Sequence, residues 1–225
     1  MAIPRPKQKD YEISYGLAFK LAGEKLSSVP DLEERCLKSE SSCKAANSSC
    51  IITLKYLNRT YQVSVPEISF VPQDSDEIVE LRDKILILHY LTRAKGTPLS
   101  RNLISFQELP EGAAYYPSFL RRAIQPLTVS FGPNPGSLLE TSAELGGHEV
   151  NYGDVAVTIP AFSRVPVTLV IWKGDDEFQP NANVLFDSTI LDYLSVEDVS
   201  VVCQTIVLRL AKLLKSRSAG HHALD

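Results

Sequence analysis

The sequence predicts an α+β fold in a single domain, with an antiparallel sheet and packed helices. β-type runs occur as pairs joined by short polar links, which is typical of antiparallel hairpins. Segments whose apolar residues recur at helical spacing lie before and after these pairs. The chain has 225 residues, of which 44% are hydrophobic and 22% are charged. This length and composition suit one globular domain that buries its core without metals or disulfides.

A helix is predicted close to the N-terminus. Residues 1–10 are polar and contain proline, and we expect a mobile lead before a domain that spans residues 11–216. Within residues 11–26, apolar side chains recur at the spacing of an amphipathic helix. These side chains are Ile13, Leu17, Ala18, Leu21 and Ala22.

A polar segment and a hairpin are predicted next. Residues 36–50 are rich in Ser, Cys, Lys and Ala and have no consistent period, which indicates a polar loop or insertion. The β-type runs 50–57 and 60–65 are joined by Asn58 and Arg59. So short a polar link between two such runs predicts a hairpin.

Further helices are predicted in the middle of the chain. Residues 74–76 offer N-cap side chains for a helix over residues 77–94, which ends at Gly96. Another helix has Pro117 in its first turn. Pro126 must end or kink that helix, because proline lacks an amide donor and clashes with the preceding turn.

The C-terminal part has the clearest pattern. Runs 154–161 and 165–172 are β-rich and predict a hairpin, whose second strand is apolar on both faces and therefore central. Residues 183–187 add a third strand. Ser195 and the acidic residues after it form a capping box before a last helix. Residues 217–225 are expected to form a mobile tail.

Charge and hydropathy exclude two classes of protein. The formal net charge is -4, and no stretch has the dense Lys/Arg clustering of a nucleic-acid-binding surface. No apolar run approaches the ~18–20 residues that span a bilayer. The N-terminus is polar and lacks the apolar core of a secretory signal, which predicts a cytoplasmic location.

The cysteines do not follow the pattern of a metal site. Cys36, Cys43 and Cys50 are separated by six residues each, and Cys203 lies far away in the chain. Metal sites use closer pairs, because two ligands must reach one ion from one short turn. We therefore predict no metal site. The first three cysteines are interpreted as small residues of a polar loop, which need not pair in a reducing compartment.

Two segments are candidates for cofactor or ligand binding. His89 falls on the apolar face of its predicted helix, where a neutral imidazole can ligate tetrapyrrole iron or cobalt or transfer protons. The alternative is a core histidine that is bonded to a carbonyl. Arginine forks bind carboxylates or phosphates, and tyrosines supply flat contact surface. The second candidate therefore comprises Tyr115, Tyr116, Arg121 and Arg122. Its alternative is an amphipathic helix with the arginines in water.

Three polar residues of the C-terminal strands are candidates for catalysis. Asp154, Arg164 and Asp187 can meet in one pocket if the strands pair suitably. Carboxylates that follow a buried strand serve in sites, but they also cap turns and helices. The acidic run 175–177 lacks the alternating spacing of a calcium loop and is interpreted as a solvated turn.

Three stretches of the chain resemble a known family. They are LHYLTRAKGTPL (88–99), ISFQELPEGAAYYPSFLRRAIQPL (104–127) and GDVAVTIPAFSRVPVTLVIWKGDDEFQPNANVLFDSTILDYLSVEDV (153–199). They resemble the uncharacterised domain of unknown function 3786, found mainly in anaerobic bacteria and archaea. The resemblance implies no catalytic residues. Some relatives look like fusions to a cysteine-rich iron–sulfur module of corrinoid proteins, which implies redox or corrinoid chemistry nearby, although this chain lacks the cluster-binding cysteines.

Three functional hypotheses follow. The preferred one is an accessory protein of anaerobic metabolism that binds a small anionic ligand or a tetrapyrrole or corrinoid cofactor. The second is an enzyme with a carboxylate and arginine site on the C-terminal sheet. The third is a protein–protein adaptor, which predicts an exposed apolar patch on the monomer. The sequence leaves open whether the protein is an enzyme, and it leaves open the oligomeric state.

Overall fold

The computed structural model describes residues 8–46, 49–75 and 77–221. The predicted α+β fold is confirmed: antiparallel sheets and packed helices form a single domain. This domain consists of an N-terminal unit (the chain up to Leu54, with Thr60–Gly96) and a C-terminal unit (Lys55–Arg59, with the chain from Thr97 onward). Residues 1–7 of the expected lead and 222–225 of the expected tail lie outside the described residues.

The N-terminal unit contains helices and a sheet of strand order β1-β2-β3-β4. The helices are α1 (Gln8–Ser27), α2 (Leu32–Lys38) and α3 (Leu81–Arg93). The strands are β1 (Ser42–Ala46), β2 (Ser49–Tyr56), β3 (Arg59–Val65) and β4 (Ser69–Pro72). The predicted hairpin is formed by β2 and β3. The turn that joins these two strands belongs to the C-terminal unit.

The segment predicted to be a loop, residues 36–50, forms regular structure instead. It contains the end of α2, all of β1 and the start of β2. The carboxylate of Asp31 caps α2 by accepting a hydrogen bond from the Glu34 amide at 2.8 Å. β1 is an edge strand of small and polar residues, so its sequence has no hydrophobic alternation. Its pairing with β2 decides its conformation, which a period-based prediction does not detect.

The cysteines occupy two kinds of environment. Cys43 and Cys50 form a disulfide between β1 and β2, with their Cα atoms 6.3 Å apart, which corrects the interpretation of these residues as unpaired. Cys36 and Cys203 are free and buried. Burial raises the pKa of both thiols. Both side chains therefore stay neutral and unreactive at ordinary pH.

The α1 helix is apolar on two sides, and its buried side includes only part of the predicted apolar face, namely Ala22 and the half-buried Ala18. Ala22 and Leu26 are buried, and α1 packs on α3. Ile13, Leu17 and Leu21 of the predicted apolar face are more than half exposed. The helical spacing is correct, but the sequence does not indicate which of the two stripes meets a neighbour.

The C-terminal boundary of α3 agrees with the prediction to within one residue, but the helix begins four residues later than predicted. It covers Leu81–Arg93, compared with a predicted range of 77–94. Asp74 does not cap it, because that carboxylate accepts a hydrogen bond from the Thr60 amide at 2.7 Å. The buried Tyr90 hydroxyl donates to the carbonyl of Ser39 at 2.7 Å, which ties α3 to the end of α2.

The C-terminal unit contains a second antiparallel sheet of order β5-β9-β8-β7-β6. Its strands are β5 (Leu103–Ser105), β6 (His148–Val150), β7 (Val155–Phe162), β8 (Val165–Trp172) and β9 (Asn181–Asp187). Its α-helices are α4 (Gly112–Phe119), α5 (Gln125–Phe131), α6 (Gly136–Ser142) and α7 (Val196–His221). Short 3-10 helices lie at Phe106–Glu108, Ala143–Leu145 and Ile190–Asp192.

Pro126 does not end the helix that precedes it. A π-helix, Leu120–Ile124, joins α4 directly to α5. The Gln125 amide donates to the carbonyl of Leu120, and this wider turn accommodates a residue that has no amide donor and would clash with a regular preceding turn. The chain therefore continues in helical form to Phe131.

The core of the C-terminal unit lies between the sheet and the helices. β8 is central, as predicted, and pairs with β7 on one side and β9 on the other. The rings of Phe106 and Phe119 are stacked with centroids 4.0 Å apart, and Phe186 of β9 meets Phe119 edge-on. All three side chains are fully buried. They join the sheet to the start of the helical segment.

The last helix is longer than residues 201–214, the range that its sequence pattern predicts. Ser195 forms the predicted capping box, because its hydroxyl accepts from the Asp198 amide and its own amide donates to the Asp198 carboxylate, both at 3.1 Å. α7 then extends to His221. The first part of the expected mobile tail, residues 217–221, is therefore helical.

Candidate functional site

Asp187 is the most densely hydrogen-bonded side chain of the predicted catalytic group. It ends β9 and is only 3% exposed. Its carboxylate accepts five hydrogen bonds of 2.7–3.1 Å, from the amides of Ser100, Arg101 and Thr189 and from the hydroxyls of Ser100 and Thr189. Burial alone raises the pKa of this carboxyl, but the bonds from Thr189 and Ser100 outweigh it and hold the pKa below its usual value. A carboxylate whose acceptor positions are filled in this way is a structural anchor.

The three predicted catalytic residues do not meet. Asp187 and Arg164 lie at the same end of the sheet, because Phe186 pairs with Val167 near the start of β8. Asp154 precedes β7 and accepts from the Lys173 amide at 2.8 Å, at the other end of β8. The eight residues of β7 separate the two ends by ~25 Å. The structure therefore does not bring all three residues together.

The predicted cofactor residues are divided between the two units. His89 is half-buried on α3 of the N-terminal unit, whereas Tyr115, Tyr116, Arg121 and Arg122 belong to the C-terminal unit. Tyr115, Arg121 and Arg122 are exposed, and Tyr116 contacts the Phe119 ring with centroids 6.4 Å apart. The arrangement of this helix corresponds to the alternative given above, with the arginines in water and Phe119 inside.

A cleft of about 470 Å³ lies in the C-terminal unit, between the α5–α6 junction and the loop that follows β8. Its volume falls within the roughly 300–1,000 Å³ that small-molecule sites occupy. The cleft is shallow and widely open to solvent. Its lining residues are Gly132, Pro133, Asn134, Pro135, Lys173, Gly174, Asp175, Phe178, Gln179 and Pro180.

Two glycines give Pro180 its position in this cleft. A Cβ atom on Gly132 would lie 2.8 Å from the Pro180 side chain and 2.5 Å from the Thr128 carbonyl oxygen. A Cβ atom on Gly174 would lie 2.6 Å from the Pro180 ring. Any larger residue at either position must displace the backbone or the proline. The α5–α6 junction and the β8–β9 loop therefore meet at this proline.

The loop presents an aromatic ring beside charged groups. One oxygen of Asp175 accepts from the amides of Glu177 and Phe178 at 2.9 and 2.7 Å. This turn holds Phe178 outward, with 68% of the residue exposed. Lys173 lines the same cleft, and its ammonium group makes no hydrogen bond or ion pair with the described residues. A cation, a carboxylate and an aromatic face are thus available to one small molecule.

A second cleft, of about 390 Å³, lies in the N-terminal unit between α1 and residues 66–68. Its charged residues, Lys20 and Glu24, lie 3.9 Å apart as an ion pair. The remaining lining is largely apolar. This cleft offers no uncompensated charge, so it is the weaker candidate for a polar ligand.

The described part of the chain contains neither a metal-ligand cluster nor a membrane-spanning helix. No group of three or more His, Cys, Asp or Glu side chains there can hold a metal ion. No helix among those residues is both long enough and apolar enough to cross a membrane.

The cleft was not apparent from the sequence, although a signal for it exists. Residues 132–136 read Gly-Pro-Asn-Pro-Gly and predict only a break, and residues 173–177 predict only a solvated turn. The signal is the combination of closely spaced glycines and prolines in two distant loops. Glycine at such positions often permits close approach of another part of the chain.

Comparison with known proteins gives a family for this fold. Among curated proteins and among solved structures, no match to the chain is found. A family model matches residues 31–209, which include the three stretches that carry the resemblance and the cleft. The matched range covers most of the chain but begins after α1. The chain therefore belongs to the family described as Domain of unknown function (DUF3786).

Proposed function

We propose that the protein is a small-molecule binding protein, and that its ligand occupies the cleft between residues 132–135 and 173–180. The observation that carries this proposal is the juxtaposition in that cleft of the Lys173 ammonium, the Asp175 carboxylate and the exposed ring of Phe178. Binding sites combine an apolar contact surface with a few polar groups that orient the ligand. The cleft has both components in one place.

The charges in the cleft define the class of ligand. Lys173 attracts a carboxylate, but the acidic residues 175–177 on the same loop repel a simple anion. A molecule that carries both a carboxylate and an ammonium group matches both charges. Phe178 and the surrounding prolines then contact its apolar part. The proposed ligand is therefore zwitterionic, with an amino-acid-like head and an apolar side chain.

The other binding hypotheses have less support. None of the cleft-lining residues is a His, Cys, Met or Tyr, so the cleft offers no axial ligand for a tetrapyrrole or corrinoid metal. The catalytic hypothesis relied on Asp154, Arg164 and Asp187, which lie at both ends of the sheet. The cytoplasmic location, the absence of nucleic-acid binding and the setting in anaerobic metabolism stay predictions from the sequence and the family resemblance.

Binding of amino acids tests the proposal directly. We expect apolar and aromatic amino acids to bind in isothermal titration calorimetry. Their N-acetyl derivatives, which lack the ammonium group, and the matching amines, which lack the carboxylate, are expected to bind at least about tenfold more weakly, because each loses a charge-assisted contact.

Variants of the cleft locate the binding. Lys173→Gln should weaken amino-acid binding by about tenfold or more, while Lys212→Gln, a change at an exposed lysine of α7, should leave it unchanged. Equal binding of the N-acetyl derivatives would overturn the zwitterion assignment. The proposed site would be overturned if the amino acids, their N-acetyl derivatives and the amines all failed to bind. It would also be overturned if Lys173→Gln did not weaken the binding of amino acids.

A further inference from the structure

The first half of β9 lies at an open edge of the C-terminal sheet. On one side, β8 pairs with β9 from Asn181 to Phe186. On the other side, β5 pairs only with residues 185–187. Within the described part of the chain, no strand pairs with residues 181–184 on that second side, and we call these residues the open edge. Unpaired backbone groups of this kind are a template on which another strand can pair.

Two asparagine side chains bond the backbone donors of the open edge. The Ala182 amide donates to Oδ1 of Asn181 at 2.8 Å, and the Val184 amide donates to Oδ1 of Asn183 at 2.9 Å. Successive residues of a strand direct their amides to alternate sides. The amides of Ala182 and Val184 therefore face away from β8. Each asparagine oxygen acts there in place of the carbonyl oxygen of an added strand.

The edge strands of the two sheets have other features that discourage pairing. β5 and β6 are three residues long. β4 contains Pro72, which has no amide donor, and β1 contains Lys44, whose charge must be desolvated or repelled in a strand pair. Short length, proline and lysine are common protections of sheet edges. The open edge has none of these three features.

The sequence of the open edge restricts how it can be protected. It reads Asn-Ala-Asn-Val and contains neither a charge nor a proline. The side chains of Ala182 and Val184 are buried, so these positions cannot carry a charged residue. The asparagines are the more exposed positions. Asparagine is depleted in strands, and its presence at both of these positions is explained by the two bonds to the backbone.

We propose that Asn181 and Asn183 protect the open edge against strand pairing with a second copy of the chain. Two copies related by a two-fold axis present the same edge to each other in antiparallel orientation, which suits one continuous ladder. Such pairing must first break two side-chain bonds in each copy. This inference is independent of the cleft proposal, since neither asparagine lines that cleft.

Amide hydrogen exchange in dilute protein, followed by NMR, tests the two side-chain bonds. Asn181→Ala is expected to speed exchange of the Ala182 amide by about fivefold or more, because that amide loses its acceptor. Asn183→Ala should do the same for the Val184 amide. The matched control is Asn151→Ala, because Asn151 is exposed and its side chain makes no hydrogen bond with the described residues. It should leave both exchange rates unchanged.

Sedimentation velocity of the full-length protein tests the protection. The double variant Asn181→Ala/Asn183→Ala is expected to self-associate at concentrations at least about tenfold lower than the wild type, because no side-chain bond must break before two edges pair. In the associated form, the amides of Ala182 and Val184 should again exchange slowly, since the second copy then accepts their bonds. Asn151→Ala should associate no more than the wild type does.

Three results would overturn the inference. Unchanged exchange in the single variants would show that the asparagine bonds do not hold these amides. Faster exchange without increased association of the double variant would show that the edge needs no such protection. Association that leaves the two amides in fast exchange would place the contact elsewhere on the protein. Should the double variant fail to fold, Asn181→Ala alone, at an exposed position, should show the same changes to a smaller extent.

Discussion

Replacing Asp187 with alanine is expected to lower the free energy of unfolding by about 3 kcal/mol or more. The buried carboxylate accepts bonds from three backbone amides and two hydroxyls. Its removal leaves these donors without their acceptor, and each unsatisfied buried donor costs about 1–3 kcal/mol. Urea unfolding, followed by fluorescence of Trp172, the single tryptophan of the chain, measures this loss. Asp154→Ala is the control, because the exposed Asp154 accepts one backbone bond, and it should cost less than about 1.5 kcal/mol.

The same carboxylate gives the stability a pH dependence with a definite sign. The hydrogen bonds of Asp187 lower its folded-state pKa below the ordinary value of 3.8. A depressed pKa stabilises the fold above the unfolded-state value, and this contribution is lost as the pH falls through the folded-state pKa. The stability difference between the wild type and Asp187→Asn should therefore be constant above about pH 5 and shrink below pH 4. A difference that does not change with pH would show that folding does not lower the pKa of this carboxyl.

Replacing Phe119 with alanine is expected to cost about 3–5 kcal/mol of unfolding free energy. Its ring stacks on Phe106 and meets Phe186 edge-on, and it is fully buried. The substitution removes apolar contacts and leaves a cavity between the sheet and the helical segment. Should the alanine variant fail to fold, Phe119→Leu keeps most of the volume and should still cost about 1 kcal/mol or more, because the aromatic contacts are lost.

A solvent-exposed position on the same helical segment provides the control for Phe119. Val129 of α5 is 76% exposed. Val129→Ala should change the unfolding free energy by no more than about 0.5 kcal/mol. Equal losses for Val129→Ala and Phe119→Ala in urea unfolding would contradict the assignment of the phenylalanine cluster as the core of the C-terminal unit.

Strand direction explains why Asp154 lies far from the other two predicted catalytic residues. Asp154 precedes β7 and Asp187 ends β9. Both strands are antiparallel to β8, so they run in the same direction. The start of one and the end of the other therefore lie at opposite ends of the sheet. In any antiparallel meander of three consecutive strands, the start of the first strand and the end of the third lie at opposite ends of the sheet. The separation of Asp154 from Asp187 therefore follows once the strand order is known.

The cleft illustrates what residue patterns leave undecided. Its two sides come from residues about forty positions apart in the chain, and each side by itself resembles an ordinary turn. Gly132 and Gly174 acquire their role only because Pro180 packs against both. The Lys173 side chain lines the same cleft as an exposed aromatic ring only because the neighbouring turn directs Phe178 outward. These relations depend on the packing of loops that are distant in sequence.

The sequence by itself determined the α+β class, the family, the central position of β8 and the capping box of α7. These features follow from local patterns: hydrophobic periodicity, turn residues and capping side chains act within a few residues of one another. Only the tertiary structure decided that residues 36–50 contain a strand and that Asp187 is an anchor. It also decided that Ile13, Leu17 and Leu21 face outward. Each of these depends on which surfaces meet, since an edge strand, a buried carboxylate and a helix with two apolar stripes all acquire their roles from a neighbour that the local sequence does not specify.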